Sequence, residues 1–335
     1  MSTGPFDALD EDARRLLRRD RPQWREPMLA TLTDQRFSDP GWLFERKLDG
    51  VRALAVRDGD PPELWSRNHK TIGASYPELV AELERRGPDR FVADGEIVAF
   101  EGNQTSFARL QARIHLTDAK RIAATGVNVY YYLFDLLHLD GQDLTGLPLR
   151  DRKRLLRRAF DFGGPLRSAN HRDTEGEEYF RTACASGWEG LIAKRADAPY
   201  RSGRSTDWLK FKCVAEQELV VGGFTDPHGS RQEFGALLVG YYADGRFRYA
   251  GKVGTGYTER TLRMLRSRLD GLATDTSPFA DRVAERAVHW VRPELVAQIG
   301  FTEWTGDGRL RHPRYLGLRE DKSPTDVVRE TAQAR

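Results

Sequence analysis

Apolar residues along this chain recur mostly at period two, in short runs separated by turn residues, which is the pattern of strands with one buried face. The alternation predicts strands over residues 42–44, 53–56, 63–66, 91–100, 129–137 and 208–212, with a turn and strand over 187–194. The strand at 91–100 is expected to be interrupted at Asp94-Gly95-Glu96, and residues 42–56 to form two short strands meeting at a tight turn. Helical spacing predicts an amphipathic helix within residues 1–26, with Leu9, Ala13, Leu16 and Leu17 on its buried stripe, ended by Pro22 and Pro27. Further helices are predicted over 76–86, with Pro77 in the first turn, over 150–158 with a basic face, and over 177–186. Near residues 213–218, a candidate hinge, the texture shifts to short strands at 219–224, 235–242, 247–253, 288–291, 295–304 and 311–318, with one helix at 258–272. Asp244-Gly245 has the composition of a hairpin turn. One helix among short antiparallel strands fits a small barrel of the oligonucleotide-binding type. The expected organisation is therefore a helical extension (1–26), a main domain (27–213) and a barrel domain (214–335).

Composition narrows the class without choosing a function. The chain has 335 residues, 39% hydrophobic and 31% charged, enough for roughly two cores. No apolar run is long enough for a membrane span, and the N-terminus has no apolar signal core, so a cytoplasmic protein is expected. Cys184 and Cys213 form no metal or redox spacing, which points to a reducing compartment. The net charge of +3 permits a polyanionic partner without arguing for one.

Positive charge is written almost wholly as arginine: nine lysines stand against 44 arginines. Lysine offers a compact ammonium or a titratable amine where arginine offers neither, so the few lysines draw notice. Five of them fall in motif-like runs; Lys120 and Lys153 read as scatter. In Glu45-Arg46-Lys47-Leu48-Asp49-Gly50-Val51-Arg52, strand alternation puts Glu45, Lys47 and Asp49 on one face. An amine among carboxylates beside a guanidinium suits a covalent nucleophile acting on a phosphate, provided its pKa falls from about 10.4. The bland alternative is a charged hairpin. Asp94 and Glu96 also share a face, and two such carboxylates in a core-grade strand call for a cation or a metal, unless the strand bulges to solvent at Gly95. Trp208, Lys210 and Lys212 share a face as well, where an anion between the lysines relieves their repulsion and their charges would lower the pKa of a third lysine. The alternative there is an edge strand guarded by lysines.

Taken together these runs resemble the covalent nucleotidyltransferases, specifically ATP-dependent DNA ligases. K-x-D-G-x-R matches Lys47 to Arg52, S-R matches Ser66-Arg67, and D-G-E matches Asp94 to Glu96. The aromatic F-D strand matches Leu133 to Leu136, E-G-x-x-x-K matches Glu189 to Lys194, and W-L-K-x-K matches Trp208 to Lys212. Arg319-x-Asp321-Lys322 resembles the last motif, on the second domain. The runs 42–45, 134–141 and 315–319 look like the ligase module of bacterial end-joining ligase D, here as a stand-alone chain; nothing resembles the large helical DNA-binding domain of many cellular ligases. The resemblance implies an α+β fold: an N-terminal adenylyltransferase domain of ATP-grasp-like antiparallel sheets with helices, then a C-terminal OB-fold β-barrel. It implies that Lys47 attacks the α-phosphate of ATP to give lysyl-AMP. Glu45 would read adenine, Phe134 stack on it, Arg52 and Glu96 hold the ribose, and Arg67 bind a phosphate. Asp49, Glu96 and Glu189 would serve a divalent Mg2+ or Mn2+, with Asp49 also in the catalytic set. Lys210 and Lys212 would neutralise the α-phosphate, with Lys194 and Trp208 in the nucleotide site and Arg319, Asp321 and Lys322 orienting pyrophosphate. The implied substrate is nicked or broken duplex DNA, acted on by a nucleoid-associated monomer in non-homologous end joining, with a Ku-like end-binding protein and a separate repair polymerase as partners. An RNA ligase, a capping-type guanylyltransferase and a non-catalytic DNA-end-binding module remain the competing readings.

Overall fold

A computed structural model describes residues 4–213, 216–227 and 232–330, which divide into two compact units, one ending at Cys213 and the other beginning after it. Val214 and Ala215, within the expected hinge, lie outside the described residues.

Two sheets make up the first unit. The larger runs in the order Arg18–Arg19, Gln142–Asp143, Val129–Leu139, Arg90–Glu101, Val51–Asp58, Glu63–Ser66, antiparallel along this path. The smaller runs His171–Asp173, Trp42–Arg46, Gly190–Arg195, Gly203–Lys212, Met28–Leu32, with only the last pair parallel. Met28, Leu54, Val92, Phe134, Leu137, Tyr200 and Trp208 pack between the two sheets. The outer face of the smaller sheet is apolar too: Phe44, Leu191, Ala193, Leu209 and Phe211 meet Tyr179 and Ala183 of the helix Gly176–Ala185.

Several expectations change. Trp42–Arg46 and Val51–Asp58 do not form a hairpin; each enters a different sheet, and residues 47–50 cross between them. Both strands are largely buried on both faces, so each needs neighbours that the other cannot supply. Gly50 makes the crossing possible, since a Cβ there would lie 2.1 Å from the Ile97 carbonyl oxygen. Arg90–Glu101 is one unbroken strand through Asp94-Gly95-Glu96, with its register against Val129–Leu139 shifting between Asp94 and Gly95. Among the described residues of the N-terminal extension only Glu11–Arg15 is α-helical. Leu9 and Ala13 are buried against the larger sheet, but Leu16 is exposed and Arg18–Arg19 pairs as a strand, because sheet pairing competes successfully with so short a helix. Finally, Cys184 and Cys213 are disulfide-bonded, with Cα atoms 5.3 Å apart. The fold brings the end of a helix beside the end of a strand, so cysteine spacing carries no inference about compartment.

In the second unit the strand Glu216–Thr225 is the spine. Leu237–Ala243 and Arg246–Val253 follow on one side; Val296–Gly300 and Val288–Val291 pair along successive stretches of the other. Asp244 and Gly245 both have positive φ, as a tight hairpin turn requires. The helix Glu259–Asp270, capped by Thr258, places Leu262, Leu265 and Leu269 in the core of this OB-type unit. Among the described residues, no helix is long and apolar enough to cross a membrane.

Candidate active site

Strand pairing in the smaller sheet gathers the lysine runs onto one face. Glu45 lies opposite Ile192, and Ile192 opposite Lys210, in one row across three strands. In the next row the Lys47 amide donates to the Gly190 carbonyl at 2.9 Å, and Gly190 lies opposite Lys212. Lys194 and Trp208 face each other in the row on the other side. Strands are about 4.8 Å apart and residues two apart share a face, so Lys47, Lys210 and Lys212 are brought to one surface. Gly190 is required in that surface: its φ is +150°, and a Cβ would lie 1.8 Å from the Phe211 carbonyl oxygen. The Lys47 ammonium is ion-paired with the Glu189 carboxylate, both side chains being largely buried. Neighbouring ammoniums favour the neutral form of an amine, and a neutral amine can attack a phosphorus centre.

The larger sheet faces this surface with a ring and a paired guanidinium. Arg52 donates to both oxygens of Asp94, at 2.5 and 2.7 Å, and Asp94 is fully buried. The Tyr200 hydroxyl also donates to Asp94, at 2.7 Å, and accepts from the Met28 amide at 2.8 Å. Glu96 lies directly across the strand pair from Arg52. The Phe134 ring has the Arg52 guanidinium 4.5 Å and the Lys194 ammonium 4.0 Å from its centroid, and meets Trp208 edge to face at 6.1 Å. Glu45 is buried at the same place. Burial alone would raise its pKa, but Lys153 at 2.6 Å and Lys194 at 2.7 Å outweigh burial and hold it below the usual carboxylate value. Burial pushes the Lys194 ammonium down to about 8, against the pull of Glu45.

Among the described residues, no group of three or more His, Cys, Asp or Glu side chains is placed to hold a metal, so Asp49, Glu96 and Glu189 do not form a protein cage. A carboxylate beside a row of ammoniums fits Mg2+ or Mn2+ arriving on nucleotide phosphates, since Mg2+ is commonly held by one or two carboxylates plus substrate phosphates and water. Arg67 sits half-buried just after Glu63–Ser66, in a turn closed by the Lys70 amide donating to the Ser66 hydroxyl at 3.1 Å. Trp24 of the N-terminal extension stacks on His69 of that turn, with ring centroids 4.2 Å apart. In the second unit, Arg319 donates to both oxygens of Asp321, at 2.9 and 3.0 Å, and Lys322 pairs with Glu218 at 3.2 Å.

The reading of Lys153 as scatter is overturned, while the expected basic face over 150–158 is carried by the exposed Arg150, Arg154, Arg157 and Arg158. Within the helix Leu149–Ala159, Arg152 is fully buried and bidentate to Asp135, at 2.7 and 2.9 Å, and Lys153 is 3% exposed. The signal was present in the spacing: 149, 152, 153 and 156 are the i, i+3, i+4, i+7 positions of a buried stripe.

Residues 27–212 match the family model of the ATP dependent DNA ligase domain, and residues 230–322 that of the ATP dependent DNA ligase C terminal region. The chain belongs to the ATP-dependent DNA ligase family. It is 36% identical over 318 residues to the multifunctional non-homologous end joining protein LigD of Pseudomonas aeruginosa, covering 92% of this chain and 37% of that protein. Identity to the LigD non-homologous end joining DNA repair protein of Mycobacterium tuberculosis is 38% over 311 residues, covering 91% and 40%. The chain thus spans about two fifths of the length of these relatives. A solved structure of mycobacterial DNA ligase D, complexed with ATP and MES, is similar with a TM-score of 0.64 and 35% identity, covering 91% of this chain and 98% of that one. The two units of the chain are accordingly the adenylating and OB-fold domains of this family, whose members use ATP with a divalent metal.

Proposed function

We propose that this ligase seals 5′-phosphate/3′-hydroxyl breaks in duplex DNA through a lysyl-AMP intermediate, in the repair of double-strand ends. The observation that carries the reading is the convergence of Lys47, Lys210, Lys212 and Glu189 on one sheet face, with the Phe134 ring and the Glu45 carboxylate beside it. Glu189 pairs with the Lys47 ammonium in the resting site; the like charges of Lys210 and Lys212 favour the neutral amine that attacks. The Lys47 Nζ lone pair attacks the α-phosphorus, the P–N bond forms, the bond to pyrophosphate breaks, and the amine loses a proton. The adenylyl group then passes to a DNA 5′-phosphate oxygen, restoring Lys47, and a 3′-hydroxyl displaces AMP to form the phosphodiester. Glu189, with Asp49 or Glu96, holds the divalent metal, which when bound neutralises phosphate charge. Glu45 and Phe134 receive the base, Arg52 and Glu96 the ribose, and Arg67 a phosphate; Arg319 and Lys322 act on the leaving pyrophosphate. The partners follow the same reading: a Ku-like end-binding protein and a separate repair polymerase, acting with this ligase on chromosomal DNA in the cytoplasm.

The test is intact mass. The protein is stripped with pyrophosphate, then given ATP with Mg2+ or Mn2+, with Lys47→Ala in parallel. A gain of one AMP in the wild type and none in the variant, followed by sealing of a nicked DNA duplex, is the expected result. No gain with ATP overturns the reading; a gain with GTP instead would assign a guanylyltransferase, and sealing of RNA alone an RNA ligase.

A further inference from the structure

Lys153 is a buried cation that the steps above leave without a role. Its Nζ donates to Glu45 Oε1 at 2.6 Å, to the Phe134 carbonyl at 3.3 Å and to the Ala169 carbonyl at 3.4 Å. It therefore ties a helix, both sheets and the loop at Ala169 to one point, which is also where the Phe134 ring begins. The second Glu45 oxygen accepts from Lys194, whose ammonium lies over both the Phe134 and Trp208 rings, at 4.0 and 4.2 Å.

The two lysines do different work. Lys194 extends from a strand of the same sheet as Glu45 and touches the rings through its charge. Lys153 comes from another layer and is pinned by two backbone carbonyls, so it alone fixes where the carboxylate stands relative to the Phe134 main chain. An ionised carboxylate only accepts hydrogen bonds; a protonated one can also donate. With both ammoniums in place, the Glu45 carboxyl stays below its ordinary value despite burial. Beside the ring it presents an acceptor of fixed charge and position.

We propose that Lys153 is a positioning residue for nucleobase choice: through Glu45 and Phe134, it makes the site accept a purine bearing an exocyclic amino group where the carboxylate points and reject one bearing a carbonyl there. This rests on the proposal that Glu45 and Phe134 receive the base. An amino group donates to the carboxylate. A carbonyl would oppose acceptor to acceptor, with a buried polar group left unmatched, which penalises the wrong purine directly. Removing Lys153 leaves a carboxylate with one ammonium, free to turn or to take up a proton and donate to that carbonyl.

The experiment compares the full chain with K153M, K153R and E45Q, stripped with pyrophosphate, measuring AMP and GMP attachment from ATP and GTP with Mg2+, and thermal melting of each. K153M is expected to raise KM for ATP roughly tenfold with a small change in the maximal attachment rate, and to lower the ATP-over-GTP preference by roughly tenfold. K153R, which keeps the charge, restores much of that preference. If K153M melts below the assay temperature, K153Q, which keeps a donor for the carbonyls, is read by the same criteria. A folded variant with unchanged KM and unchanged preference, while E45Q loses preference, overturns the role of Lys153 and leaves the base reading standing. If E45Q also leaves the preference unchanged, the base reading of Glu45 falls, and this inference with it.

Discussion

Two helices of this ligase carry nearly the same message in sequence and opposite messages in structure. Leu149–Ala159 and Glu259–Asp270 are each amphipathic, rich in arginine, and flanked by leucines of a core. In the second, leucines alone fill the buried stripe while Arg260, Arg263 and Arg268 stay exposed. In the first, two of the stripe positions are cations: Arg152 against Asp135, and Lys153 against Glu45. A buried charge survives only where another element delivers its counter-charge with hydrogen bonds to spare, and Arg152 also donates to the Leu147 and Ala198 carbonyls, at 2.5 and 3.0 Å. Helix amphipathicity shows which face is inward. It does not say whether that face is oil or ion pair.

Substitutions can widen or erase this contrast. The largest effect is expected at Arg152→Leu: it leaves the Asp135 carboxylate buried and unpaired, and should cost about 3–5 kcal/mol in chemical denaturation. If the variant kept wild-type stability, the ion pair would be no part of what holds the two elements together. Next come Lys153→Met and Glu45→Gln, which should each destabilise but not additively; a double-mutant cycle should return a coupling of about 1–3 kcal/mol, and additive costs would show the contact to be incidental. A smaller, pH-dependent effect follows from Glu45. Its folded pKa lies below the ordinary 4.5, so its stabilisation is present above that value and is lost as pH falls toward and through the folded pKa. The gap in melting temperature between wild type and Glu45→Gln should therefore narrow on acidification below about 4.5; a constant gap would contradict the assigned charge state. The smallest effect belongs to the second helix, where Arg263→Gln should change stability by no more than about 0.5 kcal/mol. A larger loss there would mean that the two helices are alike after all.

Much of the site was legible because strands print their geometry directly. Period two placed Glu45 with Lys47, and Trp208 with Lys210 and Lys212, and the pairing of their strands puts those faces together. The helices after Pro77 and Thr258 were equally plain, each marked by a terminal residue. What escaped were matters of partnership. Residues 42–56 look like a hairpin because local alternation cannot say that two adjacent strands belong to different sheets. Residues 1–26 look like one helix because periodicity cannot weigh a short helix against an available strand edge at Gln142–Asp143. Arg152, Lys153 and Tyr200 went unnoticed as site neighbours because their partners, Asp135, Glu45 and Asp94, are 17, 108 and 106 residues away.

The sequence by itself determined which residues alternate, where chains of strands turn, and that a lysine motif, a carboxylate motif and a paired-lysine motif follow one another in the order of a ligase. Those are local properties, written by side-chain period and by the few residues that tolerate a sharp bend. Only the tertiary structure decided that Lys47 meets Glu189, that Arg52 is held by Asp94, and that Lys153 grips Glu45 beside the Phe134 main chain. The reason is desolvation: a charge removed from water must find its partner inside the fold, and which partner is within reach depends on how sheets and helices stack.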